Sequence, residues 1–341
     1  MTGDLKYCIA RIVEGQLLTR DEASAAMGTI MDGRATEAQI GGFLTALRSR
    51  GDHPEELLGF LDAFRERARR IRVDDPDAVD LCGTGGDGLG TFNVSTLAAF
   101  VVAGAGVTVA KHGNRSVSSR SGSADVLREL GVNIDVSPDT MEACINTLGV
   151  GFLFAPLYHP AMKYASKPRS ELGIRTCFNL LGPLANPAGV RRQVVGAFNG
   201  TAADTLAALF REMKPAAAMV LSSTDGLDEV SPAGPTVIRE IRHHQGQKRY
   251  TVVPETFGLS TRPGLAGVAG GTPGDNAAIG RAVLSGARGP TRDFVLMNSA
   301  LGLMVARDAL TPAEAFVLCS DSVDSGRSLE KLRQLVEYTN R

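Results

Sequence analysis

The chain has 341 residues, of which 43% are apolar and 21% charged, with 36 lysines and arginines against 37 acids. That is an ordinary globular composition, and a net charge of −1 gives no overall attraction to nucleic acid or anionic lipid, so any polyanion must be held locally. The length favours two domains over one core.

The N-terminal Met1-Thr-Gly-Asp-Leu-Lys6 has no basic stretch followed by an apolar one, so no signal peptide is expected. The charge-free run Val94 to Ala110 is too polar to span a bilayer. Cys8, Cys82, Cys144, Cys177 and Cys319 are scattered and never in C-x-x-C spacing. They read as buried thiols in a reducing, cytoplasmic compartment.

Residues 1–72 read as a small all-helical domain. Thr19 with Glu22 and Thr36 with Gln39 form capping boxes, and Asp52-His-Pro54-Glu55 reads as a cap followed by proline. Ile40, Phe43, Leu44 and Leu47 fall on one helical face, as do Leu57, Leu61, Phe64 and Ala68. The cluster Arg65, Arg67, Arg69, Arg70 and Arg72 reads as a solvated helix end.

Residues 73–341 change character. Short β-rich runs at Val79–Cys82, Val107–Ala110, Gly151–Phe154, Gln193–Ala197 and Ala218–Leu221 alternate with helical stretches. The alternation predicts an α/β domain with a mostly parallel sheet and crossover helices. Part of 162–181 is expected to pass back against the helical domain.

The segment Asp80-Leu-Cys-Gly-Thr-Gly-Gly-Asp-Gly-Leu-Gly-Thr-Phe-Asn-Val-Ser-Thr96 carries the strongest functional signal. A short strand enters a turn with five glycines between Gly83 and Gly90, then a helix start near Asn93. Such a backbone can bring its N–H groups against a phosphate, and the helix N-terminus favours an anion. Gly83, Gly85 and Gly88 also satisfy the dinucleotide fingerprint, but the next strand runs into Lys111-His-Gly-Asn-Arg115 where that fingerprint requires an acid.

Three further clusters follow. Lys111 to Ser123 combines cations, amides and five serines, built like a lid for a phosphorylated sugar, with Lys111 as a point charge. Pro168 to Pro187 places Arg169 and Arg175 ahead of an apolar strip with two proline turns; Arg169 suits a substrate carboxylate and Arg175 is read as structural. In Ser222 to Glu229 the adjacent Asp228 and Glu229 are hard oxygen ligands suited to magnesium or, equally, a solvated acid patch. His112 reads as a wall residue, and His53, His159, His243 and His244 as cap or surface residues. No G-x-S-x-G, H-E-x-x-H or Walker pattern competes.

Taken in order, Gly83-Thr-Gly-Gly-Asp87, Asn93-Val-Ser-Thr96, Lys111-His-Gly-Asn-Arg115, Asn179-Leu-Leu-Gly-Pro-Leu184 and Asp225-Gly-Leu-Asp-Glu229 closely resemble the anthranilate phosphoribosyltransferases of tryptophan biosynthesis. The resemblance extends to Gly286-Ala-Arg-Gly-Pro-Thr-Arg-Asp293 and covers essentially the whole chain. It implies the nucleoside phosphorylase-like phosphoribosyltransferase fold, a homodimer formed through the helical domain, and magnesium-dependent transfer of phosphoribose from 5-phosphoribosyl 1-diphosphate (PRPP) to anthranilate.

Carried over by position, the resemblance puts PRPP on Gly83, Gly86, Asp87 and Thr91, on Asn93, Val94, Ser95 and Thr96, on Lys111, His112, Gly113, Asn114 and Arg115, and on Ser116, Val117, Ser118, Ser119 and Ser123. It puts anthranilate on Gly83, Asn114 and Arg169, and two magnesium ions per subunit on Ser95, Asp228 and Glu229. No side chain is assigned as general acid or base. Pro168, where an aliphatic residue often stands, and Ser222-Ser223, in place of a small-residue turn, depart from the pattern without removing a proposed ligand.

The chemistry so implied suits these residues, because the aromatic amine of anthranilate keeps its lone pair at neutral pH. A pyrimidine-nucleoside phosphorylase shares the fold and a similar Lys-His-Gly loop. Phosphorolysis has no diphosphate-bound metal, however, and a nucleobase has no carboxylate for Arg169. A nucleic-acid-binding relative is disfavoured by the near-neutral charge.

Overall fold

The computed structural model describes residues 4–115 and 120–341 and divides into two compact units, Met1–Arg70 with Ala155–Pro187, and Ile71–Phe154 with Ala188–Arg341. Ser116, Val117, Ser118 and Ser119 lie outside the described residues.

In the first unit, helices Leu5–Val13, Arg20–Met31, Glu37–Arg50 and Pro54–Arg67 start where their caps dictate. Thr19 Oγ1 accepts from Glu22 N and Glu22 Oε2 from Thr19 N, and Thr36 and Gln39 repeat the arrangement. A cap of this kind contributes about 1 kcal/mol. The fourth helix is an exception: His53, not Asp52, occupies its cap position and makes no side-chain cap bond, leaving Pro54 to set the first turn. Ile40, Phe43, Leu44, Leu47, Leu57, Leu61 and Phe64 are buried, with Phe43 edge-on to Phe60 at 5.8 Å. Ala68 is half-exposed beyond the helix end. Glu56, 1% exposed, pairs with Arg50 and accepts from Leu18 N at 2.8 Å.

Helices Lys163–Leu172 and Cys177–Leu184 belong to this unit; Pro183 lies inside the second where a turn was expected, Pro187 is in a turn as expected, and Pro168 lies inside the first. Pro168 and Pro183 are buried, so packing outweighs the lost helix bond. The arginine run is only partly solvated. Arg67 Nε donates to Asp32 Oδ1 at 2.7 Å and Arg65 Nη2 to Leu184 O at 3.2 Å, acceptors remote in sequence that no local pattern reveals. His159 is likewise buried, not a surface residue, with Nε2 2.9 Å from Ala185 O.

The second unit is built on one sheet: β1 (Val79–Gly83), β2 (Val109–Gly113), β3 (Val150–Phe154), β4 (Arg192–Gly196), β5 (Ala217–Ser223), β6 (Thr236–Arg242) and β7 (Gly246–Val252). The order is β3-β2-β1-β4-β5-β6-β7, with β1 to β5 parallel and β6 and β7 antiparallel. Val79, Leu81, Val109, Phe152, Val195 and Val220 are buried, as expected of strands covered on both faces. Helix Pro290–Ala306, buried along Phe294, Met297, Leu301 and Val305, packs on β1, β4, β5 and helix Val94–Gly104.

The chain steps from β1 outward to β2 and β3, then re-enters as β4 on the other side of β1. The direction of winding reverses between β1 and β4, and in open α/β sheets the crevice at the carboxyl ends of such strands receives ligands. Gly83 and Gly196, the last residues of β1 and β4, are register partners at that place.

Candidate active site

The glycine loop leaves β1 at Gly83, and Gly85, Gly86, Gly88 and Gly90 adopt φ of 63°, 78°, 75° and 67°. Those left-handed values strain any side chain with a Cβ, so the glycine density is a requirement of the path. Helix Val94–Gly104 begins at its far end with Asn93 in the cap position. Its first N–H groups have no intrahelical acceptor. Ser95 N–H is directed to the Glu229 carboxylate, and Thr96 Oγ1 is buried with no hydrogen-bond partner among the described residues.

The acidic turn after β5 packs directly on this loop. Asp228 Oδ2 accepts from Gly85 N at 2.9 Å. A Cβ on Gly83 would lie 2.6 Å from Asp228 Oδ2, and one on Gly196 only 1.6 Å from the Asp228 backbone oxygen. Gly196 is therefore needed for the turn to approach, because its clash is with backbone, whereas at Gly83 the Asp228 side chain alone would have to give way. Asn298, on the Pro290–Ala306 helix, anchors it from below by accepting from Val230 N at 2.8 Å, and Ser223 Oγ donates to Glu229 O at 2.5 Å.

The electrostatics of this turn favour a cation. Burial, then the Asp87 carboxylate, raises Asp228 from the usual range to about 7. Burial, then Asp228, pushes Glu229 well above its ordinary value. Ser95 and Glu229 line the same small hollow beside Gly196 and Asn298. No three His, Cys, Asp or Glu side chains among the described residues converge as a complete metal site, so an ion here would draw most of its oxygens from a ligand. Hard oxygens with repelled negative charge fit magnesium held against a diphosphate.

Lys111 and His112 lie on β2 and not on the lid expected from sequence, because buried acceptors stand opposite them. Lys111 Nζ donates to Leu81 O and, at 3.3 Å, to Ser95 Oγ, while Asp80 Oδ1 accepts from His112 N at 3.1 Å. Gly113 ends the strand, Asn114 and Arg115 are exposed beyond it, and the Arg115 guanidinium lies 5.5 Å over the Phe154 ring. Ser123 opens helix Ser123–Glu129, and Thr91 forms an antiparallel bridge with Ala269. Gly83, Gly86, Asp87, Asn93, Val94, Ser95, Thr96 and Lys111 thus gather at the carboxyl ends of β1 and β2 with Asp228 and Glu229.

Arg169 belongs to the helical unit. It is half-buried, its guanidinium 4.7 Å over the Phe178 ring, and burial holds its pKa below the ordinary value. No carboxylate pairs with it among the described residues, which leaves its hydrogen-bond fork for an incoming anion. Sequence reasoning missed Gly196, Asn298 and Asn276. A glycine ending an apolar strand is a signal of close backbone approach that could have marked Gly196, whereas a lone asparagine in a helix carries none.

The chain matches the glycosyl transferase family models, the a/b domain over residues 75–329 and the helical bundle domain over residues 6–68. It is 52% identical over 335 residues to the anthranilate phosphoribosyltransferase of Moorella thermoacetica, covering 98% of each chain. The crystal structure of the Thermus thermophilus enzyme superposes with TM-score 0.90 at 38% identity, over 98% of this chain and 99% of that one. The Saccharomyces cerevisiae enzyme in complex with PRPP and Mg gives 0.91 at 28%, over 98% of each. With both family models matched and 52% identity to a relative over 98% of each chain, the chain belongs to the anthranilate phosphoribosyltransferase family.

Proposed function

We propose that this protein transfers the phosphoribosyl group of PRPP to the amine of anthranilate, releasing diphosphate, as a step of tryptophan biosynthesis. The observation that carries this reading is the meeting of the Gly83–Asn93 loop with the Asp228–Glu229 turn at the β1–β4 reversal. Loop N–H groups and the Val94 helix start receive the phosphates, with Lys111 adding a positive charge and Asn114, Arg115 and Ser123 on the following segment. Ser116, Val117, Ser118 and Ser119 are assigned to PRPP by family position alone. Anthranilate is assigned to Gly83, Asn114 and Arg169.

Ser95, Asp228 and Glu229, together with the diphosphate, would hold two magnesium ions per subunit, which would neutralise charge on the leaving group. The chain's own residues do the rest: backbone donors fix the 5-phosphate and diphosphate, and Arg169 orients the aromatic acid through its carboxylate. Binding geometry carries the rate, since the aromatic amine attacks C1 with its lone pair already free. The developing positive charge on the ribose faces a site that contains Asp87, Asp228 and Glu229.

A homodimer through the helical domain is part of the reading. Of the exposed large apolar side chains among the described residues, Tyr7, Val13, Leu17, Tyr164 and Ile174 lie in the helical unit, against only Leu89 and Val317 in the other. Light scattering should return twice the chain mass, and Val13→Glu should lower it. We place the protein in the cytoplasm, in keeping with its five free cysteines.

The experiment is a fluorescence assay. Free anthranilate should disappear when PRPP and magnesium are added together, and not when either is omitted. Unchanged fluorescence with all three present contradicts the assignment.

A further inference from the structure

Asn276 lies on helix Pro273–Leu284, is 2% exposed, and belongs to none of the ligand positions above. Its Nδ2 donates to Asn93 Oδ1 at 3.0 Å, and its Oδ1 accepts from Gly271 N at 2.8 Å. The same Asn93 amide also engages the segment that returns from the Lys111 strand. Asn93 Nδ2 donates to Ser121 O at 3.1 Å, and Ser121 Oγ donates to Asn93 Oδ1 at 3.2 Å. Both lone pairs of Asn93 Oδ1 are therefore occupied from inside the protein.

The chain before Asn276 supports the same junction. Gly270 N donates to Gly90 O at 2.8 Å, Thr91 bridges Ala269, and a Cβ on Gly270 would stand 2.7 Å from Phe92 N. Phe92 is in turn seated edge-on to Phe294 at 5.8 Å. Three chain segments, 90–93, 120–122 and 269–271, thus converge on the Asn276–Asn93 pair.

We propose that Asn276 is a positioning residue: through Asn93 it fixes the far limb of the glycine loop, and the segment entering at Ser121, in the arrangement that receives the phosphates of the phosphorylated pentose. Asn93 then acts mainly as the relay between the two phosphate-binding segments, with its side-chain carbonyl turned to Asn276 and Ser121. Preorganising that limb matters because the donors must already point at the anion when it arrives, and a displacement near 1 Å lowers rates by about 10²-fold. The proposal rests on the PRPP reading of the same site.

The test uses the full chain and two variants. Asn276→Asp keeps the acceptor for Gly271 N but removes the donor to Asn93, and Ser121→Ala removes the second donor to the same oxygen. Each should raise the KM for PRPP by about tenfold while leaving the KM for anthranilate within about twofold at saturating PRPP. Equal rises in both constants, or no change in the PRPP constant in either variant, overturn the proposal. Amide hydrogen exchange in the ligand-free protein separates this from the functional reading. Faster exchange at Gly90, Thr91 and Asn93 in Asn276→Asp is expected whether or not the wild type turns over PRPP. Unchanged exchange there overturns the positioning role, whereas a wild type with normal exchange and no turnover contradicts the functional reading alone.

Discussion

The Asp228 carboxylate accepts a hydrogen bond from the Gly85 N–H at 2.9 Å, joining the acidic turn to the glycine loop across 143 positions of sequence. The bond exists because Gly196 lets the Asp228 backbone oxygen come to within 1.6 Å of where a Cβ would be. A backbone carbonyl cannot swing aside as a flexible side chain can. Gly196→Ala should therefore push the turn away and lower turnover of PRPP by at least about 10²-fold, with the overall fold retained by circular dichroism. Steady-state rates at saturating magnesium measure it, and near-wild-type activity would show that the approach is not needed.

Arg169 has an aromatic ring beneath it and no carboxylate partner among the described residues. A charged hydrogen bond contributes about 1.5–3 kcal/mol, so Arg169→Ala should raise the KM for anthranilate by roughly 10- to 10²-fold. The KM for PRPP should move little. Equal changes in the two constants would contradict a role in recognising the acid.

Burial lowers the pKa of His159, whose Nε2 faces Ala185 O. For a base held neutral by the fold, the stabilisation is complete above the unfolded value near 6.5 and is lost as pH falls through the lower folded value. The thermal midpoint should thus decline as pH drops below about 6.5, and part of that decline should vanish in His159→Gln. Melting curves from pH 8 to pH 5 decide it, and parallel curves for the two proteins would remove His159 as a cause.

Glu56 is 1% exposed and Arg50 retains only 12% side-chain exposure beside it. Removing the carboxylate in Glu56→Ala leaves a desolvated guanidinium and an unpaired Leu18 N–H. A broken buried pair costs about 3–5 kcal/mol, and Arg50's remaining bonds to Gln16 O and Gly51 O favour the lower end. Urea unfolding measures the loss.

Local chemistry was legible in the chain and remote chemistry was not. The Thr19 and Thr36 caps, the strand into Gly83 and the helix start at Asn93 each depend on neighbours within a few residues, and the structure has all of them. Strands β6 and β7 are both absent from the sequence reading: in β6 Arg239, Glu240 and Arg242 interrupt the apolar run, and in β7 Gln247, Lys248 and Arg249 are exposed, as suits an edge that must not pair further. Lys111 looked like a lid cation because its acceptor, Leu81 O, lies 30 positions away. Asn276 and Asn298 were invisible for the same reason: their partners, Asn93 and Val230, are 183 and 68 positions distant.

The most direct measurement is calorimetric titration of PRPP into the wild type and into Asp228→Asn/Glu229→Gln, each with magnesium and with chelator. The wild type should bind PRPP tightly only when magnesium is present, and the double variant should bind weakly in both conditions. A double variant that binds PRPP with wild-type affinity and the same magnesium response would contradict a site made by the glycine loop and the acidic turn together.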